Sequence, residues 1–359
     1  MEKLLTVEAE KPKKVVERGE FLFAAAGLDH GHIYGMCRGL EEAGGVCAAV
    51  WDRDPEKVTA FRKQFPGARA AGSLEELLED RELHMIAGAA VPCDRCALGI
   101  RVMEAGKDYF CDKAPMTTLR QVEEARQCCE RTGRKYFVYY GERVHSESAI
   151  LAGMLLESGA IGELVEVTNL APHRLRPETR PEWFWKRKES GGTICDIGSH
   201  QIEQLLFYSG CDSARVLSAR LGNFSLPQYP EFDDFGAAEL VTETGVSQHF
   251  RVDWLTPDGL GTWGDGRLFL LGTKGYIEAR KYVDVAQSGE RDTLILVDGR
   301  GEYRVSAAGK VGFPFFGQVI LDSLRRTETA MTQRHAFAAA ELAITAQNSA
   351  VRVRAPREK

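Results

Sequence analysis

The chain reads as an α/β protein: a doubly wound parallel sheet, followed by an α+β domain with a large, mostly antiparallel open sheet. Three observations carry this. Residues 20–140 alternate strand-sized apolar runs with stretches of helical period, and from about residue 164 strands follow one another through hairpin-length links. The 359 residues also exceed one typical domain, at roughly 150 residues each.

In order, residues 20–26 read as a buried strand, and Ile33, Met36, Cys37 and Leu40 mark one face of the helix after it. Residues 46–52 form a second strand, followed by a helix carrying Val58, Phe61 and Phe65. Ser73-Leu-Glu-Glu76 has the form of a capping box, in which serine and glutamate satisfy orphan amides reciprocally. Residues 83–91, 108–112 and 135–140 supply three more strands, with helices between them ending near Gly106 and Gly133. This strand-helix rhythm implies a parallel sheet. Strands then follow at 164–170, 215–224, 237–244, 246–255, 267–272, 275–280 and 293–297, with turn chemistry at Thr273-Lys-Gly275 and Asp298-Gly-Arg-Gly301. Helices at 315–326 and 332–351 close the chain. The division expected is a polar leader (1–19), a doubly wound domain (20–140), an α+β domain (141–331) and a C-terminal helix and tail (332–359) that packs back on the first domain.

Composition narrows the partners. With 46 basic against 52 acidic side chains the formal charge is −6, so there is no electrostatic footprint for nucleic acid or an anionic membrane. No run approaches the ~20 apolar residues that span a bilayer. The first 19 residues balance five Lys/Arg against four Glu, unlike a secretory signal, and nine scattered cysteines fit reduced thiols. A cytoplasmic protein acting on small molecules is expected.

Three constellations could carry chemistry. The turn after the first strand, Gly27-Leu-Asp-His-Gly-His-Ile-Tyr-Gly35, stands where a glycine-rich turn would let a pyrophosphate approach helix amides. Asp29 and His32 occupy the second and third glycine positions of that pattern. Asp52, ending the second strand 25 positions after Gly27, is near the spacing at which an acid binds the ribose of NAD, and its charge opposes the extra phosphate of NADP; Arg53 beside it partly offsets that preference. Lys113, in Asp112-Lys-Ala-Pro115, ends a strand at the ligand-binding edge of the sheet, where a lysine could hold a substrate hydroxyl. In Gly191-Gly-Thr-Ile-Cys-Asp-Ile-Gly-Ser-His200, a helix would set Asp196 and His200 at i and i+4, an arrangement that orients an imidazole as a general base. Cys93-Asp-Arg-Cys96 lacks a second C-x-x-C to complete a zinc site. Asp29-His30-Gly-His32 and Asp196/His200/Glu203 could each contribute metal ligands, but the first group occupies the phosphate turn, and no metal is expected.

Taken in order, these segments resemble the Gfo/Idh/MocA family of NAD(P)-dependent oxidoreductases, in which a Rossmann domain precedes an open-sheet domain. Residues 103–118 are similar to the family's Glu-Lys-Pro segment, with Asp112 for glutamate and the proline one place late; residues 191–200 match its glycine-rich helix with Asp-x-x-x-His. The resemblance implies Lys113, Asp196 and His200 as the catalytic trio, with His200 as proton acceptor. The cofactor contacts expected are Gly27, Asp29, His30, Gly31, His32, Ile33, Asp52, Arg53, Val91, Pro92, Asp112, Lys113 and Glu142. Tyr140, Arg143, His173, Arg174, Trp183 and Trp185 are expected to bind substrate. The function expected is hydride transfer between NAD, in preference to NADP, and a secondary alcohol of a sugar, polyol or glycoside, by a homodimer or homotetramer. Two competitors are an enzyme that keeps and recycles its NAD during transient glycoside oxidation, and a non-catalytic dinucleotide sensor.

Overall fold

The structure is a computed structural model describing residues 12–287 and 289–354. The expected leader and tail therefore lie in part, at 1–11 and 355–359, outside the described residues. Two compact units divide the chain between Tyr139 and Tyr140, and residues 314–340 belong with the first.

The first unit is built on six parallel strands: β1 (Leu22–Ala26), β2 (Val46–Trp51), β3 (Arg69–Ala70), β4 (Met85–Gly88), β5 (Asp108–Asp112) and β6 (Tyr136–Tyr139). Their order is β3-β2-β1-β4-β5-β6. The strand order reverses between β1 and β4, so a crevice opens beyond their carboxyl ends, where open α/β sheets take ligands. β1 and β4 are buried alanine-, methionine- and isoleucine-containing runs, as strands covered on both faces must be. Gly27 turns the chain out of β1 at φ +72°, and a Cβ there would come within 2.8 Å of the Ala90 Cβ.

The capping chemistry differs from expectation at one place. The Ser73 hydroxyl accepts the Glu76 amide at 3.1 Å, but the Glu76 carboxylate reaches the Gly72 amide at 2.7 Å and pairs with Arg69 instead of closing a reciprocal box. The reciprocal box stands at Thr118 and Gln121, opening the helix Leu119–Thr132, which Gly133 ends in a left-handed conformation. Residues 314–331, expected in the second domain, pack here. Phe315 and Phe316 lie against Phe110 at 6.1 and 6.4 Å between ring centres, and Ser323 and Arg326 both bond the buried Asp108.

The second unit carries nine strands: β7 (Leu164–Pro172), β8 (Ala214–Gly222), β9 (Phe235–Thr242), β10 (Ser247–Asp253), β11 (Arg267–Gly272), β12 (Gly275–Arg280), β13 (Thr293–Asp298), β14 (Gly301–Ser306) and β15 (Val351–Arg354). The order is β14-β13-β12-β11-β7-β10-β9-β8-β15, antiparallel except for the β7/β10 and β8/β15 pairs. Leu268, Leu270, Ile277 and Phe250 from the sheet cluster with Leu151, Leu155, Ile202 and Leu205 from two helices, Glu147–Glu157 and Ser199–Ser209. Each such side chain contributes about 1.5–3 kcal/mol on burial. Among the described residues no helix is long and apolar enough to cross a membrane.

The expected regular helix through residue 196 is not what forms. Ile194–Gly198 is a π-helical turn leading into the α-helix Ser199–Ser209. The Gln347 Oε1 accepts the Ile194 amide at 2.8 Å and the Cys195 amide at 3.3 Å. Amides at the start of the turn are thus satisfied from outside, which permits the wider winding. Asp196 and His200 are therefore not stacked as i and i+4 of an α-helix.

Candidate active site

At the carboxyl edge of the parallel sheet, the turn after β1 meets the end of β5. Asp112 is fully buried and each oxygen has two partners. Oδ1 faces the His32 Nδ1 at 2.8 Å and accepts the Lys113 amide at 2.8 Å; Oδ2 faces the His30 Nδ1 at 3.1 Å and accepts the Arg95 Nη2 at 3.0 Å. Burial alone would raise its carboxyl, but His32, Arg95 and His30 hold it well below the usual carboxylate range. Burial, with His32 adding to it, brings His30 down to about 4, so its ring is neutral near pH 7.

Arg95 organises the strand end. Its guanidinium donates to the Ala90, Lys113 and Ala114 carbonyls as well as to Asp112. Lys113 is buried, 4% exposed, and its peptide bond to Ala114 is cis. Arg95 lies inside the C-x-x-C segment, at the third position, and only its direction across to β5 marks it as important. Val91 and Pro92 begin the helix that carries it.

Asp29 turns away from this cluster and pairs with Lys57 at 2.5 Å, which removes a carboxylate that would repel pyrophosphate. Gly31 and His32 open the helix containing buried Ile33. Asp52 accepts the Leu28 amide at 2.6 Å and the Asp54 amide at 2.9 Å, leaving further lone pairs on both oxygens. It lines an open cleft of about 650 Å³ with Arg53, Arg62, Thr59 and Gly72.

The second unit holds its own buried polar constellation. The Glu142 Oε2 receives the Lys281 Nζ and the Gln201 Nε2, the latter at 2.8 Å, while Oε1 stands 3.9 Å from the His173 Nε2. Burial would raise this carboxyl, but Lys281, His200 and His173 bring it down to about 2. The His200 ring meets Tyr140 edge-on at 6.2 Å. His173 packs against Trp254 and Trp263. Asp196 lies within electrostatic reach of Arg180, where it opposes the lowering that burial imposes on that guanidinium.

Several side chains expected at substrate are engaged otherwise. Arg143 forks onto buried Glu203 at 2.7 and 2.5 Å and lies 3.8 Å above the Phe207 ring. Arg174 ties down the loop through the Pro257 and Leu260 carbonyls. Trp185 stacks on Tyr229 at 3.7 Å, and Trp183 packs against the core with it. Lys281 and Gln201 are not marked in the sequence: a lysine just past β12 carries no pattern that announces burial.

A doubly wound sheet with an acid after its second strand is the frame of a dinucleotide-binding protein. The family described as "Oxidoreductase family, NAD-binding Rossmann fold" matches residues 26–140, and "GFO/IDH/MocA C-terminal domain" matches residues 151–278. The chain belongs to the Gfo/Idh/MocA oxidoreductase family. It is 24% identical over 187 residues to scyllo-inositol 2-dehydrogenase (NADP(+)) of Bacillus subtilis, covering 51% of this chain and 52% of that one. The chain thus spans about half the length of the curated relatives it matches. A crystal structure from Erwinia carotovora atroseptica shares 46% identity over 93% of this chain and all of its own, with a TM-score of 0.90. Levoglucosan dehydrogenase in complex with NADH and levoglucosan shares the fold at 16% identity and TM-score 0.75, over 90% of this chain and 96% of its own.

Proposed function

We propose that the chain is an NAD-dependent dehydrogenase of a secondary alcohol on a sugar, polyol or glycoside. The observation that carries this reading is Lys113: a buried lysine at the carboxyl edge of the parallel sheet, its backbone held by Arg95 and Asp112. Names of relatives support the substrate class, since those matched include scyllo-inositol 2-dehydrogenase, levoglucosan dehydrogenase and D-glucoside 3-dehydrogenase.

The residues present fit a dinucleotide. Gly27 permits a backbone approach, Gly31 has open space where a Cβ would stand, and Asp29 is neutralised by Lys57. Asp52 and Arg53 would hold the adenosine ribose, and the helix start at Gly31, His32 and Ile33 the pyrophosphate, with Val91 and Pro92 beside it. When bound, the nicotinamide supplies the hydride acceptor. Lys113 would hold the substrate oxygen and stabilise negative charge developing on it. His200 would take the hydroxyl proton, and Glu142, charged at neutral pH, would favour the resulting imidazolium. Asp196, near Arg180, would orient a neighbouring hydroxyl.

Asp52 supports NAD because its charge opposes a 2′-phosphate. Arg53 and Arg62 line the same cleft, which makes NADP the second reading. Leu271 and Tyr276, paired across β11 and β12 and both exposed, suit a homodimer or homotetramer. An NADH-absorbance screen against polyols, aldoses, uronates and glycosides is the test. Reduction of NAD by at least one panel member is expected. No reduction of NAD or NADP, together with no calorimetric binding of either at millimolar concentration, would sink the reading.

A further inference from the structure

We propose that His30, His32 and Asp112 form a binding site for a first-row divalent transition-metal ion. The proposal goes beyond the dehydrogenase reading and does not depend on it. The sequence offers Asp29-His30-Gly-His32 as a possible ligand set and gives no reason to look further; the fold sends Asp29 to Lys57 and brings in Asp112, 80 positions away from His32. One ligand atom from each of the three side chains lies within 4.8 Å of the others.

The two histidine–carboxylate spacings fall in the range for ligands around one ion. With metal–nitrogen and metal–oxygen bonds of about 2.0–2.2 Å, neighbouring ligand atoms at angles near 90–110° stand roughly 2.8–3.6 Å apart. The His32 and His30 Nδ1 atoms stand 2.8 and 3.1 Å from the Asp112 oxygens. The His30 Nδ1 is also within 3.3 Å of the His32 amide, an N–H that only a lone pair can accept. The same Nδ1 stands 3.1 Å from the Asp112 Oδ2, so the ring and the carboxylate are close enough to share one ion.

The surroundings match a built site. Asp112 is held by the Lys113 amide and by Arg95, which three backbone carbonyls hold in turn. Such outer partners fix a ligating carboxylate in metal sites. Arg95 adds positive charge and lowers the affinity; it shares Oδ2 with His30, while Oδ1 faces His32 with no arginine beside it. The His30 and His32 side chains are 26% and 37% exposed while Asp112 is fully buried. The ion would therefore keep open positions toward solvent, for water or a phosphate oxygen. Two imidazoles and one carboxylate favour iron(II), cobalt(II), nickel(II) or zinc(II) over magnesium or calcium.

The test is titration of the full chain, freed of metal by a chelator, with cobalt(II) chloride alone, read by visible absorption and by calorimetry. A 1:1 complex is expected, weakened at least tenfold in His30→Gln and in His32→Gln, with His335→Gln unchanged and no response to magnesium. Circular dichroism checks that each variant folds. Anomalous diffraction at the cobalt edge gives a second readout on the unaltered protein, with the ion expected between the two rings. Absence of binding at millimolar cobalt, binding unaffected by both substitutions, or an ion seated elsewhere would each overturn the proposal. None of these readouts uses NAD or a substrate, so they are independent of the dehydrogenase reading.

Discussion

Two buried carboxylates, Asp112 in the first unit and Glu142 in the second, solve the same problem differently. Each is shielded from water, and each stays ionised because neighbours supply positive charge. Around Glu142 the main cation is Lys281, only 1% exposed, with Gln201 completing the shell from a buried helix face. Around Asp112 one cation, Arg95, is buried, while two imidazoles are partly exposed. The lesson is in the solvent. A sealed ion pair keeps a fixed charge in a fixed place, whereas a buried carboxylate faced by partly exposed rings can exchange a partner for a ligand.

The largest effect expected lies at neither carboxylate but beside the first. Lys113→Met should lower turnover of NAD with the true substrate about 10²- to 10⁴-fold, the range for removing a positioned acid–base group, as followed by NADH absorbance. Full retained activity would remove Lys113 from its proposed role. Next comes the sealed pair. Lys281→Met leaves Glu142 buried without its lysine and should cost about 3–5 kcal/mol in urea unfolding. The double variant Lys281→Met/Glu142→Gln should regain part of that loss; if it does not, Lys281 matters for packing alone.

Acid sharpens the contrast. Glu142 is depressed from 4.5 to about 2 in the folded chain, so its contribution is fully present above the unfolded value and is lost as pH falls through the folded one. Linkage gives on the order of 3 kcal/mol over that window. Wild type should lose that stability between about pH 5 and pH 2 relative to Glu142→Gln, in denaturant curves across pH; parallel curves would contradict the assignment. A smaller change is expected at the cofactor end, where Asp52→Ser should raise the KM for NAD about tenfold while changing that for NADP less. The smallest is Lys57→Met. Its pair with Asp29 is partly exposed and worth under about 1 kcal/mol, so thermal stability should barely move.

The parallel sheet was legible because its signals are local. Apolar runs such as 108–112 and the glycine after a helix at Gly133 report burial and chain reversal within a few residues, and β5 lies at Asp108–Asp112. β14 and β15 were not foreseen: Gly301–Ser306 alternates without a strong apolar face, and Val351–Arg354 pairs only because β8 offers an edge. The candidate site was legible in part. Lys113 and Asp52 end strands at a predictable edge, but the π turn before His200 depends on Gln347, more than 150 positions away from Ile194.

By itself, then, the sequence determined the two kinds of sheet and the ends of strands where ligands gather, because side-chain periodicity and turn chemistry act over a few residues. Tertiary structure alone decided which charges meet. Asp29 rather than Asp112 stands beside His30 in the chain, yet packing gives Asp29 to Lys57 and Asp112 to the histidines. Glu142 finds Lys281 across 139 positions. A buried charge must find a partner somewhere, and only the packed sheets and helices fix which one comes within reach.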